Sequence, residues 1–213
     1  MQIQLRKIIP GYIEQEKRST SQVWEQNISI RKGEHLHIVA PSGSGKTSLM
    51  HFIYGLRKDY SGSIFYDDMD IKKLSTESFS AFRQNKISII FQDLRLFENQ
   101  TVKENIEIKR ILDPYHQSQK IDEMAKRLGI ENKLNQSVKT CSYGEQQRIA
   151  IIRALMQPFD FLLLDEPYSH LDEVNREKAM DLIYEECAKR NAAMVFADLK
   201  PLDFFKDEKI IYL

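Results

Sequence analysis

Residues 40–49 read APSGSGKTSL and follow the apolar stretch EHLHIVA at 34–40. Gly43 and Gly45 allow backbone conformations and close approaches that a Cβ would hinder. Between a strand and a helix, such a loop turns successive N–H groups inward and forms a cradle for anionic oxygens. A helix opening near Lys46 adds the positive end of its dipole. The spacing therefore predicts a phosphate-binding loop made of Ser42, Gly43, Ser44, Gly45, Lys46, Thr47 and Ser48. Lys46 is expected against β- and γ-phosphates, and Thr47 on Mg²⁺. Ala40 stands where the motif commonly opens with glycine, and it is read as tolerated there.

Outward from the loop, strands and helices alternate. KTSLMHFIYGLR (46–57) predicts a helix with Leu49, Phe52, Ile53 and Leu56 on one face. YSGSIFYDD (60–68) predicts a turn at Ser61–Gly62 and then a strand, and KISIIFQD (86–93) predicts another strand. From 94 to 153 the pattern is helical, with Ser118 expected to cap a helix over 118–130 and a further helix over 145–158. FDFLLLDEP (159–167) and AAMVFAD (192–198) are apolar runs of strand length, as buried parallel strands require, with a helix over 172–191 between them. The alternation argues α/β with an inserted helical segment. One domain over 1–213 is expected, with 1–93 and 156–213 forming the core and β subdomain and 94–155 the helical insertion.

Bulk properties narrow the class. Lys plus Arg number 31 and Asp plus Glu 31, so no broad basic field supports nucleic-acid binding, and none is expected. No apolar run reaches membrane-span length and no signal-peptide block is read at the N-terminus, so the expected location is cytoplasmic. Two cysteines, Cys141 and Cys187, are expected as free thiols, and five scattered histidines show no metal-ligand spacing.

A phosphate loop needs a carboxylate at the end of a neighbouring strand. FLLLDE supplies Asp165 as the expected Mg²⁺ partner and Glu166 as the expected general base for an attacking water. CSYGEQQRIAIIRAL (141–155) is more specific. With FQD (91–93), DEP (165–167) and SHLD (169–172), it makes the chain resemble the ATP-binding subunits of ABC transporters from about Asn27 to Asp198.

The resemblance implies the fold of a P-loop NTPase with a RecA-like parallel core sheet, an antiparallel β subdomain and an inserted α-helical signature subdomain. It implies two such subunits head to tail, each ATP lying between one phosphate loop and the opposite signature segment. It implies Gln92 as a contact to Mg²⁺ and attacking water and as a relay to a transmembrane permease partner. It implies Ser142 and Gly144 as contacts to the opposite γ-phosphate, and Asp172 as a link between the two sites. It also implies peripheral attachment on the cytoplasmic face of the inner membrane. LRLFENQTVKENI (94–106) resembles the groove that receives a coupling helix, with Leu96 and Phe97 as apolar anchors or as core. The compact length and SGSIFYDDMDIKKLS resemble the lipoprotein-release, macrolide-export and cell-division subgroup.

Departures matter as much. Tyr143 replaces the first signature glycine, so its ring must point away from phosphate or stack on something. Cys141 replaces a leucine and is expected to pack. Ala197 falls where the family carries a γ-phosphate histidine, which predicts slower hydrolysis, and His170 is a substitute of low weight. Tyr12 is a candidate for stacking on adenine but lies far upstream, and Trp24 is expected in the small β region. Two readings stay open: an ATPase motor, or a nucleotide switch that closes on ATP and hydrolyses it poorly. A small-molecule P-loop kinase fits worse, because a kinase activates an acceptor hydroxyl rather than water.

Overall fold

A computed structural model describes residues 1–201 and 209–213. β7 (Phe161–Asp165) is buried along its whole length, as its unbroken apolar run demands. It lies in a five-stranded parallel sheet ordered β6 (Ile87–Ile90), β7, β8 (Ala193–Asp198), β3 (His35–Val39) and β9 (Lys209–Tyr212). Register pairs Asp165 with Ala197 and Val39 with Asp198, so the strands finish level with one another.

A second, antiparallel sheet is ordered β2 (Asn27–Arg31), β1 (Gln2–Pro10), β4 (Tyr60–Tyr66) and β5 (Met69–Asp70). Alternating residues Ile3, Leu5, Ile28, Ile30, Ile64 and Tyr66 face inward. They share one apolar cluster with Leu49, Phe52 and Ile53 of α2 (Lys46–Ile53) and with Trp24. α3 (Thr76–Asn85) adds Phe79 to the same cluster, and α1 (Gln15–Ser19) follows β1 in the chain. Ser61 and Gly62 lie inside β4 rather than in a turn. Gly62 has φ 79°, and a Cβ there would stand 2.3 Å from the Lys7 carbonyl, opposite a register irregularity between Arg6 and Ile9. The glycine thus serves a β-bulge, which a turn signal in sequence resembles. α2 also ends earlier than its periodicity suggests, and Leu56 is exposed.

Between β6 and β7 the chain forms α4 (Val102–Leu112), α5 (Gln119–Arg127) and α6 (Tyr143–Leu155). Thr101 and Glu104 close a capping box on α4, and Ser142 and Glu145 close one on α6. Ser118 stands at the start of α5 without capping it; its hydroxyl donates to Glu107 instead, at 2.6 Å. Val102, Ile106, Ile121, Met124, Leu128 and Ile149 pack together with β7 and with α7 (Glu173–Arg190). Each such side chain contributes roughly 1.5–3 kcal/mol when fully buried. Cys141 and Cys187 are both buried free thiols within this cluster.

One polar network joins the layers. Buried Glu186 of α7 accepts from Lys189 at 3.0 Å and from Arg190 at 2.5 Å, and lies 2.7 Å from His116. Burial alone would raise the Glu186 carboxyl. Hydrogen bonds from His116, Arg190 and Lys189 outweigh it and hold the group well below the usual carboxylate range.

Candidate functional site

Because β3, β6, β7 and β8 are parallel, their C-terminal ends share one edge. There the chain places residues 40–45, Gln92, Asp165, Glu166 and Asp198. Gly45, with φ 104°, immediately precedes α2; a Cβ on it would lie 2.9 Å from both Ile13 and Trp24. Gly43 is also left-handed, at φ 77°, whereas Ala40 has no positive φ and needs no glycine. Trp24 therefore acts as the floor under the loop.

Lys46 is 4% exposed, and its ammonium donates to the carbonyls of Ala40 (2.8 Å) and Pro41 (3.1 Å) and meets Glu166 at 3.3 Å. Thr47 donates to the Gln92 Oε1 at 3.1 Å, and the Gln92 Nε2 donates to Glu166 at 3.3 Å. Lys46, Thr47, Gln92 and Glu166 thus close a polar ring. They line a cleft of about 260 Å³ together with Ser42, Gly43, Gly45, Ser48 and Tyr12. Ser44 lines an adjoining recess, and the Ser48 hydroxyl accepts from Arg57 at 2.9 Å.

Glu166 holds φ 47°, a left-handed value that is unfavourable for a residue with a Cβ, by roughly 1–2 kcal/mol. Its amide donates to the Ala197 carbonyl (3.0 Å), and its carbonyl accepts from Gln147 (3.3 Å). Asp165 is fully buried, and neither carboxylate oxygen has a hydrogen-bond partner among the described residues. Burial pushes its carboxyl up to about 6; the Thr47 hydroxyl, close by although it donates to Gln92, offsets part of this, and the neighbouring Glu166 charge adds to it. An orphaned buried carboxylate beside a threonine hydroxyl and a phosphate cradle is a donor set suited to a hard divalent cation.

The loop after β6 is bent at two consecutive left-handed residues, Leu94 (φ 57°) and Arg95 (φ 48°). Arg153, buried in α6, donates to both of their carbonyls, at 2.5 and 2.6 Å. α6 therefore grips the segment that carries Gln92.

Ser142, Gly144 and Asp172 do not reach this cleft. Ser142 accepts from the Glu145 amide at 3.3 Å, and the Glu145 carboxylate accepts from the Ser142 amide at 2.7 Å. Gly144 packs against the loop after β7, since a Cβ would stand 3.0 Å from the His170 carbonyl. Asp172 caps α7, accepting from the Asn175 amide at 2.8 Å and its side-chain amide at 2.7 Å. Tyr143 packs against His170 with ring centroids 4.2 Å apart and planes tilted by 58°, which accounts for an aromatic in that place. Ala197 is fully buried in the apolar layer shared with α2.

Tyr12 is the site residue that sequence reasoning set aside. The turn after β1 carries its ring to the cleft, where Arg57 lies 5.2 Å from the ring centroid. Only the antiparallel pairing of β1 with β4, next to the loop helix, brings it there, and no local motif signals that pairing.

Fold and site together define a P-loop nucleotide-binding protein of the kind that pairs a glycine loop with a strand-end Asp–Glu. The ABC transporter family description matches residues 24–169, and the chain belongs to that family, as an ATP-binding, ATPase-type subunit. It is 35% identical over 188 residues to the lipoprotein-releasing system ATP-binding protein LolD of Buchnera aphidicola subsp. Schizaphis graminum, covering 87% of this chain and 82% of that protein. It is 33% identical to the macrolide export ATP-binding/permease protein MacB of Nitrosomonas europaea, over 86% of this chain and 28% of that one. Among solved structures it resembles the dimeric post-hydrolysis state of the ATP-binding cassette MJ0796 bound to ADP and Pi, with TM-score 0.80 and 26% identity, covering 93% of this chain and 88% of that one.

Proposed function

We propose that the chain binds ATP with Mg²⁺ in the Lys46 cleft, closes head to tail on a second copy, and drives a transmembrane permease from the cytoplasmic face of the membrane. The observation that carries this reading is the ring of Lys46, Thr47, Gln92 and Glu166 above the orphaned Asp165 carboxylate. Inward amides of residues 42–48 and the α2 dipole take the triphosphate oxygens. Lys46 swings from its loop carbonyls to β- and γ-oxygens, and Tyr12 offers its ring to adenine. Thr47, Gln92 and Asp165 would hold Mg²⁺, which when bound neutralises phosphate charge. Glu166 accepts a proton from the attacking water, with Gln92 fixing its carboxylate. The Ser142 hydroxyl, the Gly144 amide and the α6 N-terminus face the other copy's γ-phosphate, and Asp172 lies where the two copies meet. Residues 94–155 act as a helical arm of this single unit.

The permease contact is assigned to a groove of about 480 Å³ between α3 and α4. Tyr54 and Phe79 line it, and Lys58, Arg83 and Lys109 bring three cations with no carboxylate among the described lining residues. Burial pushes the Lys109 amine down to about 8, and Arg153 and Arg83 add to the effect. Exposed Ile108, Ile111 and Leu112 on α4 extend the surface, and it fits an amphipathic permease segment with an acidic face. Phe97 is exposed beside α4, whereas Leu96 packs on the core.

Ala197 favours a second reading, the slow ATP-dependent switch, because a buried methyl supplies no hydrogen bond to developing phosphate charge. Phosphate release by the full chain, compared with Glu166→Gln, separates the two. The motor reading expects a loss of about 10²-fold or more in the variant with ATP binding intact. Equal rates would leave the switch.

A further inference from the structure

Tyr143 opens α6 between Ser142 and Gly144, with 45% of its surface exposed, and it touches two other segments at once. Its hydroxyl donates to the backbone carbonyl of Gln92 at 3.3 Å. Its ring lies on His170, whose amide donates to Gln147 at 3.1 Å; Gln147 in turn donates to the Glu166 carbonyl at 3.3 Å. β6 ends at Ile90, so Gln92 sits beyond the ladder, on a turn whose left-handed residues are braced by Arg153 from the far end of the same helix. The Gln92 side chain is engaged at both ends, by Thr47 and Glu166, and Tyr143 takes up its main chain.

We propose that Tyr143 is a positioning residue for hydrolysis: its hydroxyl anchors the Gln92 carbonyl, sets the reach of the Gln92 side chain to Thr47 and Glu166, and is itself held in place by the His170 ring. The proposal rests on the role given to Gln92 above. A ring serving only as apolar cover would work equally well as phenylalanine, so the oxygen atom is the discriminating feature. Two grips by one helix, Tyr143 at its first turn and Arg153 at its last, make α6 and the Gln92 turn move together. The segment that faces the other copy's nucleotide is thereby tied to the hydrolytic groups of its own copy.

The test uses the full chain with Tyr143→Phe. Without nucleotide, amide exchange at Leu94 and Arg95 is expected to rise about fivefold, as loss of one hydrogen bond implies, while the α2 amides keep their rates. With ATP and Mg²⁺, kcat is expected to fall about fivefold to tenfold and KM to stay within about twofold. In a Gln92→Ala background the same substitution should cost nothing further in kcat, because the anchored side chain is gone. Unchanged exchange at 91–95, or an equal kcat cost in both backgrounds, overturns the proposal. Absence of phosphate release from the unaltered chain overturns the motor reading instead and leaves the exchange result to decide this one.

Discussion

Arg153 and Leu94 meet end to end: a guanidinium buried in the last turn of α6 donates at 2.5 Å to the carbonyl of a residue held at φ 57°. The same fork reaches the Arg95 carbonyl, and burial lowers the guanidinium to about 10. Lysine keeps the charge but cannot span two carbonyls with a planar fork. Arg153→Lys is therefore expected to lose about 2 kcal/mol of stability in urea titration, the scale of charge-assisted hydrogen bonds. A loss under about 0.5 kcal/mol would show that the left-handed pair holds its shape unaided.

Gly45 combines a positive φ with crowding by Ile13 and Trp24, two independent objections to a side chain. Gly45→Ala should lower the melting temperature and reduce ATP affinity at least about tenfold, since the first α2 amides shift with the loop. Gly129→Ala provides the comparison: φ is also positive there, at 66°, but a Cβ meets nothing within 4 Å. The comparison variant should lose stability and keep its affinity. Equal affinity losses would count against a specific role for the space above Trp24.

Asp165 predicts opposite effects on stability and activity. Its folded carboxyl titrates near 6, above an ordinary 3.8, so the folded state binds the proton more tightly. Its contribution favours folding below pH 3.8 and turns unfavourable as pH rises through 6. At pH 7 without metal, Asp165→Asn should stabilise the chain by about 2–3 kcal/mol, measured by urea titration, while removing Mg²⁺-dependent phosphate release. Destabilisation would mean that the carboxylate has a partner in solution.

The Glu186 network carries the reverse sign. Its carboxyl is held below its ordinary 4.5, so the stabilisation is complete above that value and drains away as pH falls through the folded value. Urea titrations at pH 7 and pH 3 should show a larger loss for the unaltered chain than for Glu186→Gln. Parallel losses would assign the acid sensitivity elsewhere.

Sequence reading succeeded where a local pattern has one structural solution. The apolar run 161–164 ending in Asp165 matches an inner parallel strand, and the glycine loop at 42–45 leads directly into α2. Gln92 was legible only through the family resemblance, and the fold places it just beyond the end of β6, on Thr47 and Glu166. Features created by pairing between distant segments were not legible. Tyr12 reaches the cleft through β1 and β4, and the bulge at Gly62 depends on the Lys7 carbonyl across the sheet. The tilted Tyr143–His170 contact joins two segments whose adjacency is set by helix packing, although the departure of Tyr143 from its motif was visible. The β9 strand and α3 carry no strong periodic or capping signal beyond Ser75, and both emerge only from tertiary packing.

The two sequestered sulfurs have a practical consequence. Burial raises the Cys187 thiol to about 12 and shifts Cys141 upward as well, so neither is a ready nucleophile at neutral pH. Little reaction of the unaltered chain with maleimides is therefore expected, and Asn135→Cys, at an exposed position between α5 and α6, would be the preferred point of attachment for a fluorophore. A pair of copies labelled there would report their approach and separation through energy transfer, with both native sulfurs left in place.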